Sequence, residues 1–169
     1  MKKRYYILLM IILCGIDQLS KALIHKFLGF NEGFNIINNF LKFYYVKNTG
    51  ISFGMLSNMK ILIVPLSLCI IGFMLYQFYK EESKLNVLAC SLIISGAFGN
   101  LIDRLTRGYV IDFISFTFFK HEVSIFYVAD SFITIGVILY IIGIFLEGRN
   151  EDNSEEWWNR TKIRYIFNI

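Results

Sequence analysis

Charge and proline are the two scarce features of this sequence. Charged residues make up 18% of its 169 residues and there is one proline, while 56% of the residues are hydrophobic. Soluble domains carry about 25% charged residues, and disordered or fibrous chains are richer in proline or in regularly repeated glycine. The composition therefore excludes a disordered or fibrous protein and predicts one domain that folds in a lipid bilayer.

Motifs for metal, nucleotide and disulfide chemistry are also missing. No H-E-x-x-H, P-loop or G-x-G-x-x-G pattern occurs, so we expect no metal and no cofactor. The cysteines Cys14, Cys69 and Cys90 lie in apolar runs without CxxC spacing, which predicts small buried side chains and not a disulfide framework. The net charge of +4 forms no basic stripe, so no nucleic acid partner is expected.

Four apolar runs are long enough to cross a membrane, for which a helix needs about 20 residues. They cover residues 5–24, 61–79, 85–102 and 125–146. The sequence thus predicts a mainly α membrane protein whose residues 1–146 form a single four-transmembrane-helix bundle. Residues 147–169 form a charged tail, for which an amphipathic interfacial segment and a solvated tail are equally good interpretations.

The start of the chain decides the predicted orientation. Residues 1–4 read Met-Lys-Lys-Arg before an apolar run that reaches Cys14, as in a lipoprotein signal peptide. Residues 11–13 are not small, however, and the helical pattern continues past Cys14, so a retained helix is predicted. The basic residues favour a cytoplasmic N-terminus. Four crossings then make the C-terminus cytoplasmic and put the long links, residues 25–60 and 103–124, on the outer face.

The two outer links contain segments with strand character. Residues 40–46 are rich in aromatic and β-branched residues, and residues 113–119 are rich in aromatic residues. Both segments lie beside helix ends and mix apolar with polar side chains. We therefore expect a small extracytoplasmic sheet at the membrane interface.

The placement of the aspartates is the most informative feature of the chain. Four of the five aspartates lie at membrane depth or at its outer edge, whereas all eight glutamates lie in links or in the tail. Carboxylates inside a membrane are costly, and they usually face a bundle interior or a cavity and carry a function. The four are Asp17, Asp103, Asp112 and Asp130.

Two of these aspartates have polar neighbours in the sequence. Asp17 and Lys21 are four residues apart on one helix face, which predicts an ion pair that supports the scaffold. Asn100 and Asp103 share a face of the third helix. Arg104 follows them, and its guanidinium suits a carbonyl or a lipid phosphate. A structural polar cluster and a binding role are both open for Asp103 and Arg104.

Neither Asp112 nor Asp130 has a basic residue within four positions in the sequence; the nearest base, Arg107, lies five residues before Asp112. If the two carboxyls meet, they cannot both ionise easily and one keeps a proton. Such a pair supplies a base for water and an acid for a leaving nitrogen. The link between them returns to the same membrane face, so a meeting is possible. Two separate helix caps are the alternative.

At these residues the sequence resembles the lipoprotein signal peptidase family, also called signal peptidase II. The resemblance covers residues 16–136 in four blocks, of which the third is long and specific. The blocks are Asp17-Gln18-xx-Lys21, Asn48-Thr49-Gly50-Ile51-Ser52-Phe53-Gly54, Gly96-xx-Gly99-Asn100-xx-Asp103-Arg104-xxx-Gly108-x-Val110-x-Asp112-Phe113-Ile114 and Phe126-x-x-Ala129-Asp130-Ser131.

The resemblance implies an aspartyl endopeptidase of the bacterial cell membrane, with four helices and an outward β-cradle. Its substrates would be diacylglyceryl prolipoproteins, cut before the lipidated cysteine. The residues matching Asp112 and Asp130 would activate water near the outer face, and those matching Asp17 and Lys21 would support the scaffold and contribute to binding. A monomer surrounded by membrane lipid is expected. The substrate pocket would be shaped by Asn48, Gly50, Asn100, Asp103 and Arg104.

The chain departs from the family pattern at two places. Tyr127 stands where the family usually has asparagine, and Ile51-Ser52 replaces a pair that is usually small. Both bear on substrate preference and turnover more than on reaction type. Two other functions stay open: a proton-coupled transporter, which would also need intramembrane aspartates but for which no internal repeat is evident, and a non-catalytic membrane scaffold.

Overall fold

The fold comes from a computed structural model that describes residues 2–38, 40–50, 59–118, 121–126 and 128–167, with the backbone alone at 60, 116–118, 121–126 and 150–167. These ranges contain four helices and four strands. The helices are α1 (Arg4–Phe27), α2 (Lys60–Lys80), α3 (Lys84–Thr106) and α4 (Val128–Phe167). The strands are β1 (Gly33–Ile37), β2 (Leu41–Asn48), β3 (Val110–Phe118) and β4 (His121–Phe126).

Every helix includes a segment long and apolar enough to cross a membrane, which confirms the four predicted spans. These segments are Arg4–Phe27, Ile61–Lys80, Lys84–Thr106 and Val128–Arg149. The fourth starts later than predicted, because Ile125 and Phe126 pair with Ser115 and Ile114 as part of β4. Short apolar runs suit strands and helices equally well, so hydropathy alone missed this boundary.

The tail does not begin with a break in the helix. α4 continues past its membrane span as one helix of 40 residues to Phe167. At about 1.5 Å of rise per residue, the part after Arg149 extends roughly 27 Å. The division of the chain at residue 146 therefore has no counterpart in the backbone and stays a prediction.

α3 is the central helix of the bundle. In its membrane segment 67% of the residues are buried, against 11%, 22% and 17% in α1, α2 and α4. The outer helices instead expose large apolar side chains such as Ile11, Phe73 and Phe145. Such surfaces suit a surrounding lipid and not water.

The strands form one antiparallel sheet in the order β1-β2-β3-β4. β2 and β3 confirm the two predicted strands, whereas β1 and β4 were not predicted. β1 and β2 follow α1, and β3 and β4 lie between α3 and α4, so the whole sheet is at one end of the bundle. At the opposite end, Lys3 Nζ donates a hydrogen bond to the carbonyl of Tyr79. The N-terminus therefore lies beside the link between α2 and α3, away from the sheet.

Gly108 turns the chain from α3 into β3. Its φ angle is +85°, in the left-handed region that favours glycine. The backbone N–H groups of Arg107 and Gly108 both donate to the carbonyl of Asp103, at 2.8 and 3.2 Å, and so close the end of the helix. This turn sets where β3 begins, and thus where Asp112 lies.

The prediction that all cysteines are buried was wrong for Cys69. The three cysteines are free thiols, and Cys90 is buried, Cys14 partly buried and Cys69 exposed. Cys69 lies on α2, whose outer residues face away from the bundle. A small apolar side chain has no need of protein neighbours there, because lipid tails are an equally apolar environment.

Candidate active site

A buried ion pair joins α1 to α3. Lys21 Nζ lies 2.7 Å from Asp17 Oδ2 and 2.8 Å from Asp103 Oδ2, and all three side chains are fully buried. It also donates to Asn100 Oδ1 at 3.2 Å. The predicted pairing of Asp17 with Lys21 is present, and Asn100 and Asp103 face the same lysine. Within α1, all of whose side chains are described, Asp17 and Lys21 are the buried residues.

A second cation, Arg107, completes this arrangement. Its guanidinium Nη1 forms an ion pair with Asp103 Oδ1. Gln18 Nε2 donates to the same oxygen at 3.3 Å and to the carbonyl of Gly99 at 3.1 Å. We call Asp17, Lys21, Asp103 and Arg107 the ion cluster. Arg107 was the nearest base to Asp112 in the sequence, but the ion pair it forms is with Asp103.

The ion cluster reaches the first turn of α4. Asp17 Oδ1 accepts a hydrogen bond of 3.1 Å from the backbone N–H of Ala129, the residue before Asp130. Gly99 makes the close approach of the helices possible, since a β-carbon at this position would collide with the carboxylate of Asp17. Asp17, for which a scaffold role was predicted, thus makes a direct contact beside one of the two candidate catalytic residues.

A second polar chain connects Asp112 to Arg104. Asn48 Nδ2 donates to Asp112 Oδ2 at 2.9 Å, and Asn48 Oδ1 accepts from the backbone N–H of Gly50 at 2.9 Å. Arg104 Nη2 in turn donates to the carbonyl of Gly50 at 2.9 Å. Of the two partners expected for Arg104, a carbonyl or a lipid phosphate, the structure supplies the carbonyl. Four predicted site residues are therefore in one connected group.

Asp112 and Asp130 lie near each other at the junction of β3 and α4. Ile111 and Phe113, which flank Asp112, pack in one buried cluster with Ala129, which precedes Asp130. Burial raises the pKa of Asp112 to about 7; the hydrogen bond from Asn48 opposes this and the charge of Asp130 adds to it. Asp112 is 5% exposed, and among the described residues no group hydrogen-bonds its Oδ1. One carboxyl oxygen is therefore buried without a hydrogen-bond partner in the part of the chain that the structure describes.

The raised pKa of Asp112 predicts a pH-dependent stability effect. Between its ordinary value of 3.8 and about 7, the folded protein keeps a proton that the unfolded chain has released. The free energy of unfolding therefore falls as pH rises through this window, and an amide in place of the carboxyl removes that loss. Asp112→Asn should stabilise the protein more at pH 8 than at pH 5, by on the order of 2 kcal/mol.

Thermal unfolding in detergent at the two pH values measures this difference. The control is Asp152→Asn, which makes the same chemical change in the tail. An equal gain from Asp112→Asn at pH 5 and pH 8 would contradict the prediction.

Sequence reasoning missed three contributors to this region. Gln18 stood inside a recognised block but was given no role. The spacing of four between Asp103 and Arg107 was a usable signal for an ion pair on a helix. Tyr45 is 2% exposed, and its hydroxyl lies 3.1 Å from His25 Nδ1 and 3.4 Å from the Tyr109 hydroxyl, which connects β2 to α1 and to the residue that precedes β3. No local sequence pattern predicts that contact.

Both predicted departures from the family pattern, Tyr127 and Ile51-Ser52, lie outside the described residues. The same holds for Phe53 and Gly54 of the second block. The site is therefore built from Asn48 and Gly50 of that block together with residues of α1, α3, β3 and α4.

Comparison with known proteins gives matches over most of the chain. A family model described as signal peptidase (SPase) II matches residues 9–146. A lipoprotein signal peptidase of Staphylococcus haemolyticus (strain JCSC1435) is 36% identical over 159 residues, which are 90% of this chain and 100% of the relative. A lipoprotein signal peptidase of Streptococcus pyogenes serotype M2 (strain MGAS10270) is 39% identical over 150 residues, 87% of this chain and 97% of the relative.

Two solved structures of a bacterial membrane enzyme, both obtained by the in meso method, are similar in fold. The one at 2.3 Å has a TM-score of 0.81 and 33% identity, over 86% of this chain and 90% of that chain. The one at 1.9 Å has a TM-score of 0.75 and 34% identity, over 83% of this chain and 92% of that chain. The predicted fold class, a helical membrane bundle with a small sheet, is confirmed.

Proposed function

Because the chain belongs to the signal peptidase II family, we propose that it is an aspartyl endopeptidase with Asp112 and Asp130 as its catalytic pair. Family membership makes it a multi-pass bacterial membrane protein that cleaves lipoprotein signal peptides. The finer proposal is that it acts on diacylglyceryl prolipoproteins and cuts just before the lipidated cysteine. The observation that carries it is the buried Asp112 carboxyl, which has one oxygen without a hydrogen-bond partner among the described residues and interacts with the charge of Asp130.

The proposed chemistry needs one proton shared by two carboxyls. The ionised member removes a proton from water, and the resulting hydroxide attacks the carbonyl carbon of the scissile bond. The protonated member then gives its proton to the leaving nitrogen as the C–N bond breaks. Because the carboxyls interact, they titrate as one unit, and neither is assigned as the base alone. The raised pKa of Asp112 supports a singly protonated pair near neutral pH.

The surrounding residues have proposed roles that follow from their contacts. Asn48 orients Asp112, and Gly50 is held between Asn48 and Arg104. Arg104 Nε has no hydrogen-bond partner among the described residues, so it can donate to a substrate carbonyl. Asn100 and Asp103 both contact Lys21, and we place this group at the edge of the proposed substrate pocket.

We place the sheet and the catalytic pair near the outer face of the membrane, with both termini cytoplasmic. The N-terminus lies at the end of the bundle opposite the sheet, and its basic residues favour the cytoplasm. A diacylglyceryl group holds the substrate cysteine at the surface of the bilayer. The scissile bond is then held at a constant depth in the membrane, at the level of the proposed catalytic pair. A monomer in contact with lipid suffices for this scheme.

The test is cleavage by the purified chain in liposomes. A diacylglyceryl prolipoprotein should be cut, and mass spectrometry should find the lipidated cysteine at the new N-terminus. The matched control substrate is the same precursor without its diacylglyceryl group, which should remain intact. Failure of the folded protein to cut the modified substrate would refute the proposal, and a proton flux that depends on Asp112 and Asp130 would favour the transporter.

A further inference from the structure

The ion cluster is electrically neutral only because it contains Arg107. Two carboxylates, Asp17 and Asp103, are balanced by two cations, Lys21 and Arg107. Lys21 is fully buried with both acids, whereas 26% of the Arg107 side chain is exposed. Without Arg107 one negative charge would remain unbalanced where water is largely excluded, and such a charge is strongly unfavourable.

The cluster is connected to both proposed catalytic carboxyls. Lys21 links Asp103 to Asp17, and Asp17 binds the backbone N–H that precedes Asp130. Lys21 also influences Asp112: burial is the main cause of the raised pKa of that carboxyl, and the charge of Lys21 opposes it. A change in the contacts of Lys21 with Asp17 and Asp103 therefore alters the surroundings of both Asp112 and Asp130.

We propose that Arg107 is a positioning residue for the catalytic pair. By holding one oxygen of Asp103, it leaves Lys21 shared between Asp103 and Asp17, and it keeps the charge beside the pair at zero. Asp17 then stays in place as the acceptor for Ala129, next to Asp130. The inference rests on the proposed peptidase function and adds to it a residue that lies inside the third sequence block, at a position for which the block specifies no residue type.

The expected consequence is a shift in the pH profile of cleavage. In Arg107→Gln, Asp103 competes with Asp17 for Lys21, and extra negative charge remains near the pair. That charge disfavours the singly ionised state, so the rising limb of kcat/KM should move to higher pH by about half a unit. Below the limb this is a loss of about threefold relative to the intact chain.

The contributions of other ionisable groups to the pH profile must be distinguished from the effect of Arg107. Arg104 is on α3, His25 Nδ1 lies 3.1 Å from the Tyr45 hydroxyl, and Lys47 Nζ lies over the ring of Tyr109. Imidazoles ordinarily titrate near neutral pH. The profiles are therefore also measured in a His25→Gln background, where the shift caused by Arg107→Gln should persist.

The experiment compares kcat/KM from pH 5 to pH 9 for the full chain in liposomes with one diacylglyceryl prolipoprotein. Arg107→Gln should shift the rising limb of the pH profile to higher pH. Arg107→Lys and Lys26→Gln should leave the limb at the pH found for the intact chain. Lys26 is the matched control, since it is an exposed cation at the same end of the bundle. A uniform loss of rate with an unmoved limb in Arg107→Gln would overturn the inference.

A further variant keeps the test decisive if Arg107→Gln does not fold. Asp103→Asn combined with Arg107→Gln leaves one acid and one cation, so the pH of the limb should match that of the intact chain, whatever change in maximal kcat/KM the loss of Asp103 from the pocket causes. A shifted limb in this double variant would also overturn the inference. Absence of cleavage by the intact chain is a different outcome, which would reject the peptidase function itself.

Discussion

Asp112→Asn and Asp130→Asn are each expected to lower cleavage of a diacylglyceryl prolipoprotein by about 1,000-fold or more. An amide can neither accept a proton from water nor release one to the leaving nitrogen. Because the proposed pair would act as a unit, the double variant should lose little beyond either single variant. Single-turnover cleavage in liposomes, with binding measured separately, would show that the loss lies in the chemical step.

A matched substitution and a folding measurement make this result interpretable. Asp152→Asn changes the fifth aspartate, in the tail, and should keep full activity. Asp112→Asn should also unfold at a temperature no lower than that of the intact chain, because its buried carboxyl no longer ionises. Substantial cleavage by folded Asp112→Asn would remove this carboxyl from the mechanism.

Lys21→Met is expected to have the largest effect on stability. It would leave two fully buried carboxylates, Asp17 and Asp103, with Arg107 as the remaining cation of the ion cluster. Removal of one partner from a buried ion pair costs about 3–5 kcal/mol. Thermal unfolding of the detergent-solubilised protein, followed by the loss of its monodisperse peak, measures the change.

Two further variants separate charge from packing. Lys26 lies on the same helix and its side chain is exposed. Lys26→Met should therefore change the free energy of unfolding by less than about 0.5 kcal/mol. Asp17→Asn combined with Lys21→Met restores neutrality, since Asp103 keeps Arg107, and should recover part of the loss. If Lys21→Met were as stable as the intact chain, the ion cluster would not be what holds α1 to α3.

The membrane helices were predictable because the bilayer imposes a length and a composition on any segment that crosses it. The two inner strands were predictable from aromatic and β-branched residues. β1 was not, since its residues Gly33–Ile37 are all exposed and show no alternation between a buried and a solvated face. β4 was absorbed into a predicted span, because its last residues are as apolar as the helix that follows.

The site shows a similar division. The ion pair of Asp17 and Lys21 follows from local spacing, and the identity of the two candidate catalytic residues came mainly from the family resemblance. The bond between Asn48 and Asp112 joins residues 64 positions apart. It depends on the register of β2 against β3, in which Asn48 is opposite Val110 and Val46 is opposite Asp112. No single segment of the sequence contains that register.

On α1, the expected relation between side-chain position and tolerance to substitution is the reverse of that in a helix of a soluble protein. On α1 the residues that pack inside are Asp17 and Lys21, while Ile11 and Leu19 point outward. Exchange of one aliphatic residue for another on such an outer face changes little, because fluid acyl chains conform to either shape. Exchange of the inner polar residues for aliphatic ones removes the contacts that distinguish this bundle from four unrelated spans. On α1, hydropathy therefore marks the face turned to lipid, and the two charged exceptions mark the face turned to the bundle.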